Sequence, residues 1–447
     1  MNRLPFSGSR SSAMSSMPRP RLSILTFGCR VNQYESEMMR RALETEVEIV
    51  SDGADVVLLN ACTVTGLAER KARQAARRLR RENPRRVIIL IGCLADAVRE
   101  GLTSFTEADL LAGNCWKGQI GRVVRQALSG KRGLLPQIAP PPLAEETSHG
   151  PCGRIRAFLK IQDGCARTCT FCRATQVRGG PRSKPIEAVL SEARHLVNRG
   201  YPELVLTGID LAQYSTSEGA LADVVEGLLA VPDLVRLRLA SINPFGITEP
   251  LLDPFTSDDR ACPHFHIPLQ SGDDRILHRM ARGYTVEEYL ACIERVRRHL
   301  PHATFGTDLI VGFPGEDEAA IENTCRTVEC VGFSNLHVFR YSERPGTAAA
   351  DFAEPVPDSE RRRRAEILNR RWQRSLRRLL DNRLGSTQDV LVEEHRKSGW
   401  RGYTRDYIHV QFVSESAPPI GSIRSVRITA TADKHLEGID DPRTDAN

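Results

Sequence analysis

Three apolar, β-branched runs constrain the fold of this chain more than any other feature: "RLSILTF" (21–27), "ADVVLLN" (54–60) and "RRVIILI" (85–91). Each has the length of a strand and is apolar enough to be buried on both faces. Helical patterns lie between them, including "LAERKARQAARRLRREN" (67–83), which stops at Pro84. Strand and helix alternating over about 130 residues predict a parallel sheet with covering helices. Each run then leads into a cysteine, in "TFGCR", "LNACT" and "LIGCL", so Cys29, Cys62 and Cys93 stand just past three strand ends. In a parallel sheet the carboxyl ends of all strands share one edge, where ligands bind. One cysteine there reads as an ordinary core residue. Three at equivalent positions point to a common site.

At 447 residues the chain is too long for one core and predicts two or three domains. A proline-rich passage, "LLPQIAPPPLAEETSHGP", follows the first domain (21–133) and reads as a linker, taken over 134–153. Alternation then resumes. Strands are expected at 156–162, 203–208, 234–241, 264–269, 304–313 and 335–341, with helices between most of them. Thr285 and Glu288 have capping-box spacing at the start of one such helix. Six strands with helical crossovers fit an open or partial parallel barrel, and a basic helix at 359–382 closes this second domain (154–383). Residues 384–440 alternate as strands do and predict a small β-domain. The serine- and proline-rich stretch 1–20 reads as a disordered leader and 441–447 as a tail. No apolar run approaches the ~20 residues that span a bilayer. A cytoplasmic, membrane-free protein is expected, in which the 12 cysteines serve as thiols or metal ligands rather than disulfides.

The stretch "DGCARTCTFC" (163–172) sets Cys165, Cys169 and Cys172 in a Cys-x3-Cys-x2-Cys pattern just after the first strand of the second domain. Zinc prefers four ligands, often from paired Cys-x2-Cys hooks, and no second hook follows. A four-iron cluster suits three thiolates better, because each binds one iron and the fourth iron stays open to a small molecule.

The pattern resembles that of the radical S-adenosylmethionine superfamily. The segments "FGCRVNQYESE" (27–37), "NACTVTGLAERKARQAARR" (60–78), "QDGCARTCTFC" (162–172), "CPHFHIPLQSGDDRILHRMARGYT" (262–285), "DLIVGFPGE" (308–316) and "HVFRYSERPGT" (337–347) resemble its methylthiotransferase branch, in order. Within that branch the chain looks most like the enzymes acting on threonylcarbamoyladenosine in tRNA. The resemblance implies an α/β fold with an N-terminal parallel-sheet domain, a partial (β/α)6 barrel and a TRAM-like terminal β-barrel. It implies two 4Fe–4S clusters, one on Cys165, Cys169 and Cys172 and binding S-adenosylmethionine, the other on Cys29, Cys62 and Cys93. It also implies methylthio insertion at C2 of a modified adenosine, with S-adenosylmethionine as methyl donor and radical source. Two departures stand out: "RATQVRGGPRS" after Cys172, which keeps only Arg178 and Gly179 of the usual run, and "NACT" at Cys62.

Gly208, Ser241, Gln270 and Gly312 stand at strand ends facing the same barrel mouth and are candidates to contact S-adenosylmethionine. For the two glycines a tight turn, and for Ser241 a helix cap, is the competing explanation. His264 and His266 share a strand face, with a core or hydrogen-bonded role favoured over metal ligation. The other six cysteines match no metal spacing and read as structural.

Arginine-rich helices at 70–81 and 361–378, the latter with nine arginines against Glu366, suit a tRNA partner. Trp400, Tyr403 and Tyr407 among Arg401 and Arg405 suit phosphate contact and base stacking, although in a small barrel the rings equally suit the core, and RNA binding here is implied mainly by the resemblance. An electron donor of flavodoxin or ferredoxin type completes the expected partners, with a monomer the simplest state. Alternative readings are methylthiolation of isopentenyladenosine in tRNA or of a ribosomal-protein aspartate, and, from another class, a non-catalytic iron–sulfur RNA-binding sensor.

Overall fold

The computed structural model describes residues 19–151 and 153–441. The expected leader and tail, apart from their innermost residues, and Cys152 lie outside the described residues.

The first strands form where the apolar runs lie, at Arg21–Phe27, Val56–Ala61 and Val87–Ile91. They pair in parallel, with Phe27 opposite Ala61 and Asn60 opposite Ile91. Three short strands, Glu48–Ile49, Leu110–Ala112 and Gly133–Leu134, extend them to a six-stranded sheet. Pieces of two or three residues carry no periodicity to read. Leu58, Ile89 and Ile91 pack on one face against Met39 and Val123. Leu59, Ile88 and Leu90 pack on the other against Ala72, Ala76 and Leu79. Burial on both faces is why the runs are continuous rather than alternating.

The proline-rich passage is packed against the protein. Leu143, Glu146 and Ser148 are buried, and the Trp116 indole donates to the Pro136 carbonyl at 2.8 Å. Proline supplies no N–H, so side chains satisfy the carbonyls of this segment instead of a backbone ladder.

The central domain has strands Arg156–Lys160, Glu203–Thr207 and Arg236–Leu239 in one parallel sheet. His264–His266, Thr304–Val311 and Asn335–Arg340 form another. Single bridges, Leu237 to Ala261 and Ser241 to His266, join the two into a six-stranded open barrel. Leu159, Leu204, Leu206, Leu237, Leu239 and Phe265 belong to the hydrophobic core with the surrounding helices. The alternate residues form a polar lining: Arg238 donates to Glu203 at 2.7 Å, and Arg156 pairs with Glu203 at 3.1 Å. Thr285 and Glu288 make the expected capping box on helix Val286–His299.

Helix Asp358–Asp381 leads to a closed barrel of five strands, Thr387–Arg396, Gly399–Thr404, His409–Val413, Ile423–Thr431 and Leu436–Asp440. Its 404–408 turn enters the amino-end floor of the central barrel. Tyr403 and Tyr407 stack with ring centroids 4.8 Å apart, and the Arg156 guanidinium lies 4.6 and 5.0 Å from those centroids. Arg236 donates to the carbonyls of Tyr403 and Asp389, and Arg238 to that of Arg405. Of the two roles expected for Tyr403 and Tyr407, base stacking and internal packing, the structure shows the second: both rings are held in this joint. Interleaved aromatic and basic residues serve domain docking as well as they serve RNA.

Candidate active site

Cys165, Cys169 and Cys172 lie on the loop that leaves the first barrel strand through Gln162–Asp163. Gly164 allows the turn: its φ is +74°, and a Cβ there would sit 2.0 Å from the Gly180 carbonyl oxygen. The loop is pinned by Cys165 N–H to the Gly179 carbonyl, 3.0 Å, and Thr170 N–H to the Met280 carbonyl, 3.1 Å. All three cysteines are half-buried. Gln213 Nε2 donates to Cys165 Sγ at 3.1 Å and Arg282 Nη1 to Cys169 Sγ at 3.2 Å. Asp210 and Asn243 tie these two donors together. Asp210 accepts from Gln213 at 2.5 Å and from Asn243 at 2.8 Å, and Asn243 accepts from Arg282 at 2.8 Å. Burial pushes the Cys172 thiol up to about 11, with the nearby Cys169 and Cys165 adding to the rise. A cationic environment, or metal, is what such thiols need to ionise.

Cys29, Cys62 and Cys93 come from three separate strand ends, as the parallel topology requires. Gly28 makes their convergence possible: its φ is +150°, and a Cβ there would meet Cys62 Cβ at 2.6 Å. A hydrogen bond to Cys93, then burial and the charges of Cys93 and Cys29, raise the Cys62 thiol well above its ordinary value. The same bond from Cys62, reinforced by Arg178 and Lys117, outweighs burial and pulls Cys93 down to about 6. Asn32 accepts from Cys29 Sγ at 3.2 Å and donates to Asn60 at 3.1 Å, linking this site to the sheet interior.

The two cysteine sets are neighbours. Arg173, beside Cys172, donates to Thr63 Oγ1, beside Cys62, at 3.1 Å. Arg178 Nε donates to Cys93 Sγ at 3.1 Å. Its remaining donors reach Glu35 Oε1 and Oε2 at 2.8 and 3.0 Å and Asp163 Oδ1 at 2.9 Å. Lys160 binds Glu35 at 2.9 Å and both Glu146 and Asp163 at 2.8 Å; Lys117 binds Glu35 at 2.5 Å. Lys117, Lys160 and Arg178 thus face Glu35, Glu146 and Asp163, and all six side chains are buried. Burial alone pushes the Glu35 and Asp163 carboxyls up, but the surrounding cations hold both below the usual carboxylate range.

Gly208, Ser241, Gln270 and Gly312 all stand on the carboxyl edge of the barrel, the edge that carries Cys165. Gln162 Oε1 accepts from the N–H groups of Ile209 and Asp210 at 3.0 and 2.8 Å, and a Cβ on Gly208 would lie 2.9 Å from it. Gln270 takes the left-handed conformation, φ +71°, which a non-glycine residue holds at a cost. At Gly312, φ +71°, a Cβ would strike Arg361 Cγ at 2.3 Å, which gives this glycine a packing reason of its own. The histidines are hydrogen-bonded: His264 to Thr304 at 2.9 Å, and Asp308 between His266 at 3.1 Å and His337 at 2.9 Å. Among the described residues, this last trio brings its ligand atoms within 4.8 Å of one another. The cysteine trios are spread more widely, which suits a cluster that takes one thiolate per iron better than one ion with sulfurs about 2.3 Å away.

The basic helices are less free than their composition suggests. Arg73 and Arg77 pair with Glu107, and Arg80 with Asp109, none of which lies in the 70–81 stretch. In the later helix Arg363, Arg364 and Arg371 pair with Glu318, Glu316 and Glu329 of neighbouring segments. Sequence reasoning missed Gln213, Arg282 and Arg173, and gave Arg178 no role. Their signal is adjacency to the motifs: Arg173 follows Cys172, and Arg282 lies inside "HRMARGYT".

An open parallel barrel with three cysteines at its mouth, fronted by a cysteine-bearing α/β domain, defines a radical S-adenosylmethionine enzyme. Residues 159–328 match the Radical SAM superfamily, and residues 21–113 match the uncharacterized protein family UPF0004. The radical S-adenosylmethionine methyltransferase TsrM from Kitasatospora setae shares the fold, with a TM-score of 0.56 and 13% identity over 74% of this chain and 75% of that one. Threonylcarbamoyladenosine tRNA methylthiotransferase MtaB of Thermotoga maritima is 34% identical over 94% of this chain and 96% of its own length. The enzyme of that name from Chlamydia pneumoniae is 35% identical over 93% and 97%. The tRNA-2-methylthio-N(6)-dimethylallyladenosine synthase of Dictyoglomus thermophilum is 32% identical over 94% and 98%. The chain belongs to the radical S-adenosylmethionine methylthiotransferase family.

Proposed function

We propose that this enzyme inserts a methylthio group at C2 of threonylcarbamoyl-modified adenosine next to the anticodon of tRNA. The observation that carries the reading is the adjacency of two three-cysteine sets, joined through Arg173 to Thr63 and Arg178 to Cys93. Cys165, Cys169 and Cys172 would hold one 4Fe–4S cluster, and Cys29, Cys62 and Cys93 the other. Bound there, with S-adenosylmethionine, these groups supply radical generation at the first site and sulfur delivery at the second.

The chain's own residues supply placement. Gln213 and Arg282 aim N–H donors at Cys165 and Cys169, as negatively charged thiolates require. Arg178 does the same for Cys93 while its fork grips Glu35 and Asp163. The buried ion network thereby fixes the distance between the two domains. Gly208, Ser241 and Gln270 line the rim on which S-adenosylmethionine would rest. The threonylcarbamoyl substrate is supported by the "GCRVNQYESE" segment and by relatives of that activity at 32–35% identity. Among the described residues, no helix is long and apolar enough to cross a membrane. The reading places the enzyme in the cytoplasm with tRNA, as a monomer, drawing electrons from a flavodoxin- or ferredoxin-type donor.

Nucleoside mass spectrometry of tRNA from a deletion strain tests it. Loss of methylthio-threonylcarbamoyladenosine alone is expected; loss of a dimethylallyl-type methylthio nucleoside instead would overturn the substrate assignment.

A further inference from the structure

One buried cation near Cys62 has no part in the placement above. Arg344, in "YSERPGT", is 8% exposed. Its Nη1 donates to Glu69 Oε2 at 3.1 Å, whereas Nε and Nη2 have no hydrogen-bond partner among the described residues. Buried donors left unmade cost about 1–3 kcal/mol each, and folded proteins keep few of them. Nη2 is turned toward the first turn of helix Gly66–Glu82, whose 17 residues put a positive dipole end there and whose Thr65 cap takes the Ala68 N–H.

No side chain at Gly66 separates that turn from the polar groups gathered over it. A Cβ on Gly66 would lie 2.9 Å from Ser342 Oγ, 3.1 Å from Arg344 Nη2 and 3.3 Å from Arg70 Nη1. Gly66 is not among the positive-φ glycines, so its backbone does not demand glycine. A hydroxyl, two guanidinium groups and a helix N-terminus therefore converge on one small volume. The acid nearby, Glu69, is already shared among Arg73, Thr103 and Arg344. Ser342 and Arg70 are exposed at the rim, with Arg344 beneath them. The cradle begins four residues after Cys62, and Arg173 ties Thr63 to the radical loop.

We propose that this cradle binds a phosphodiester group of the RNA strand and so registers the target adenosine against Cys62. The inference rests on the tRNA reading above. Helix N-termini bind phosphate through their N–H groups, and arginine adds charge-assisted donors.

The test uses the cluster-loaded enzyme and a labelled anticodon stem-loop RNA, with binding followed by anisotropy across a range of salt concentrations. Arg344→Gln and Gly66→Ala are each expected to raise Kd about tenfold, as loss of a charged hydrogen bond would. The slope of log K against log salt should fall by about 0.7, the share of one single-strand phosphate. Gly66→Ala adds a methyl against flexible side-chain tips in a helix, so melting temperature and iron content should hold, which keeps the test valid if Arg344→Gln misfolds. Inorganic phosphate at millimolar level should compete with RNA on the wild type and lose that effect on Gly66→Ala. If both variants bind RNA with wild-type affinity and slope, the cradle is overturned and the substrate reading stands. If the wild type shows no salt-dependent RNA binding, both are overturned.

Discussion

The two cysteine sets solve one problem in opposite ways. Cys165, Cys169 and Cys172 are gathered by eight residues of chain on a loop shaped by Gly164, and side chains from distant segments then reach in to meet them. Cys29, Cys62 and Cys93 are dispersed in the chain and gathered by strand register and the Gly28 turn; Cys62 and Cys93 are 5% and 1% exposed and Cys29 is exposed, against half-buried cysteines on the loop. A local loop can move as a unit when a ligand arrives. A site assembled from three strand ends moves only if the sheet moves. The loop set therefore depends on the side chains that reach it, and the strand-end set on the sheet that carries it.

The largest effects should come from breaking one set while sparing the other. Cys169→Ala should remove about four of about eight irons and abolish release of 5′-deoxyadenosine. Cys62→Ala should remove the other half and abolish methylthio transfer while deoxyadenosine release continues, read by iron assay and product chromatography. Next is the link between the sets. Arg178→Met leaves Glu35 and Asp163 short of a partner in a buried network, at a cost of about 3–5 kcal/mol in urea unfolding. Arg178→Lys should recover only part of this, because an ammonium lacks the fork.

A smaller effect follows from pH. Glu35 is held well below its ordinary value of 4.5, so the stability it contributes is complete above that value. It is lost as pH falls through the folded-state pKa. Glu35→Gln should therefore flatten the acid limb of stability below about pH 5, measured as urea midpoints of the metal-free protein. The smallest effects separate the rim of the radical site. Gly312→Ala should cost at least about 1–2 kcal/mol of stability, from its left-handed backbone with the clash against Arg361 added, with S-adenosylmethionine affinity unchanged. Gln270→Ala should do the reverse, weakening that affinity in equilibrium dialysis at an unchanged melting temperature.

What could be read from the sequence divides along the same line. The Cys-x3-Cys-x2-Cys loop is a local pattern and is visible as spacing. Convergence of Cys29, Cys62 and Cys93 needed one topological rule, that parallel strands end on a common edge, and the long apolar runs were enough to apply it. The edge strands Glu48–Ile49 and Gly133–Leu134 were too short to register. The six charges of the bridge lie between Glu35 and Arg178, in segments that also carry many surface charges, so nothing local distinguishes them. Tyr403 and Tyr407 stayed open between two roles for a related reason: composition cannot tell a ring that meets a partner molecule from one that meets another part of its own chain.

That joint at the barrel floor has a consequence for how much of the protein can be removed. Arg156, Arg236 and Arg238 find Tyr407 and the carbonyls of Tyr403, Asp389 and Arg405 only because the terminal barrel is present. Truncation before residue 384 would uncover three guanidinium groups in the floor of the central barrel. The last strands are a structural keystone of the central barrel, so loss of activity in such a truncation would report collapse of its base before it reported anything about RNA.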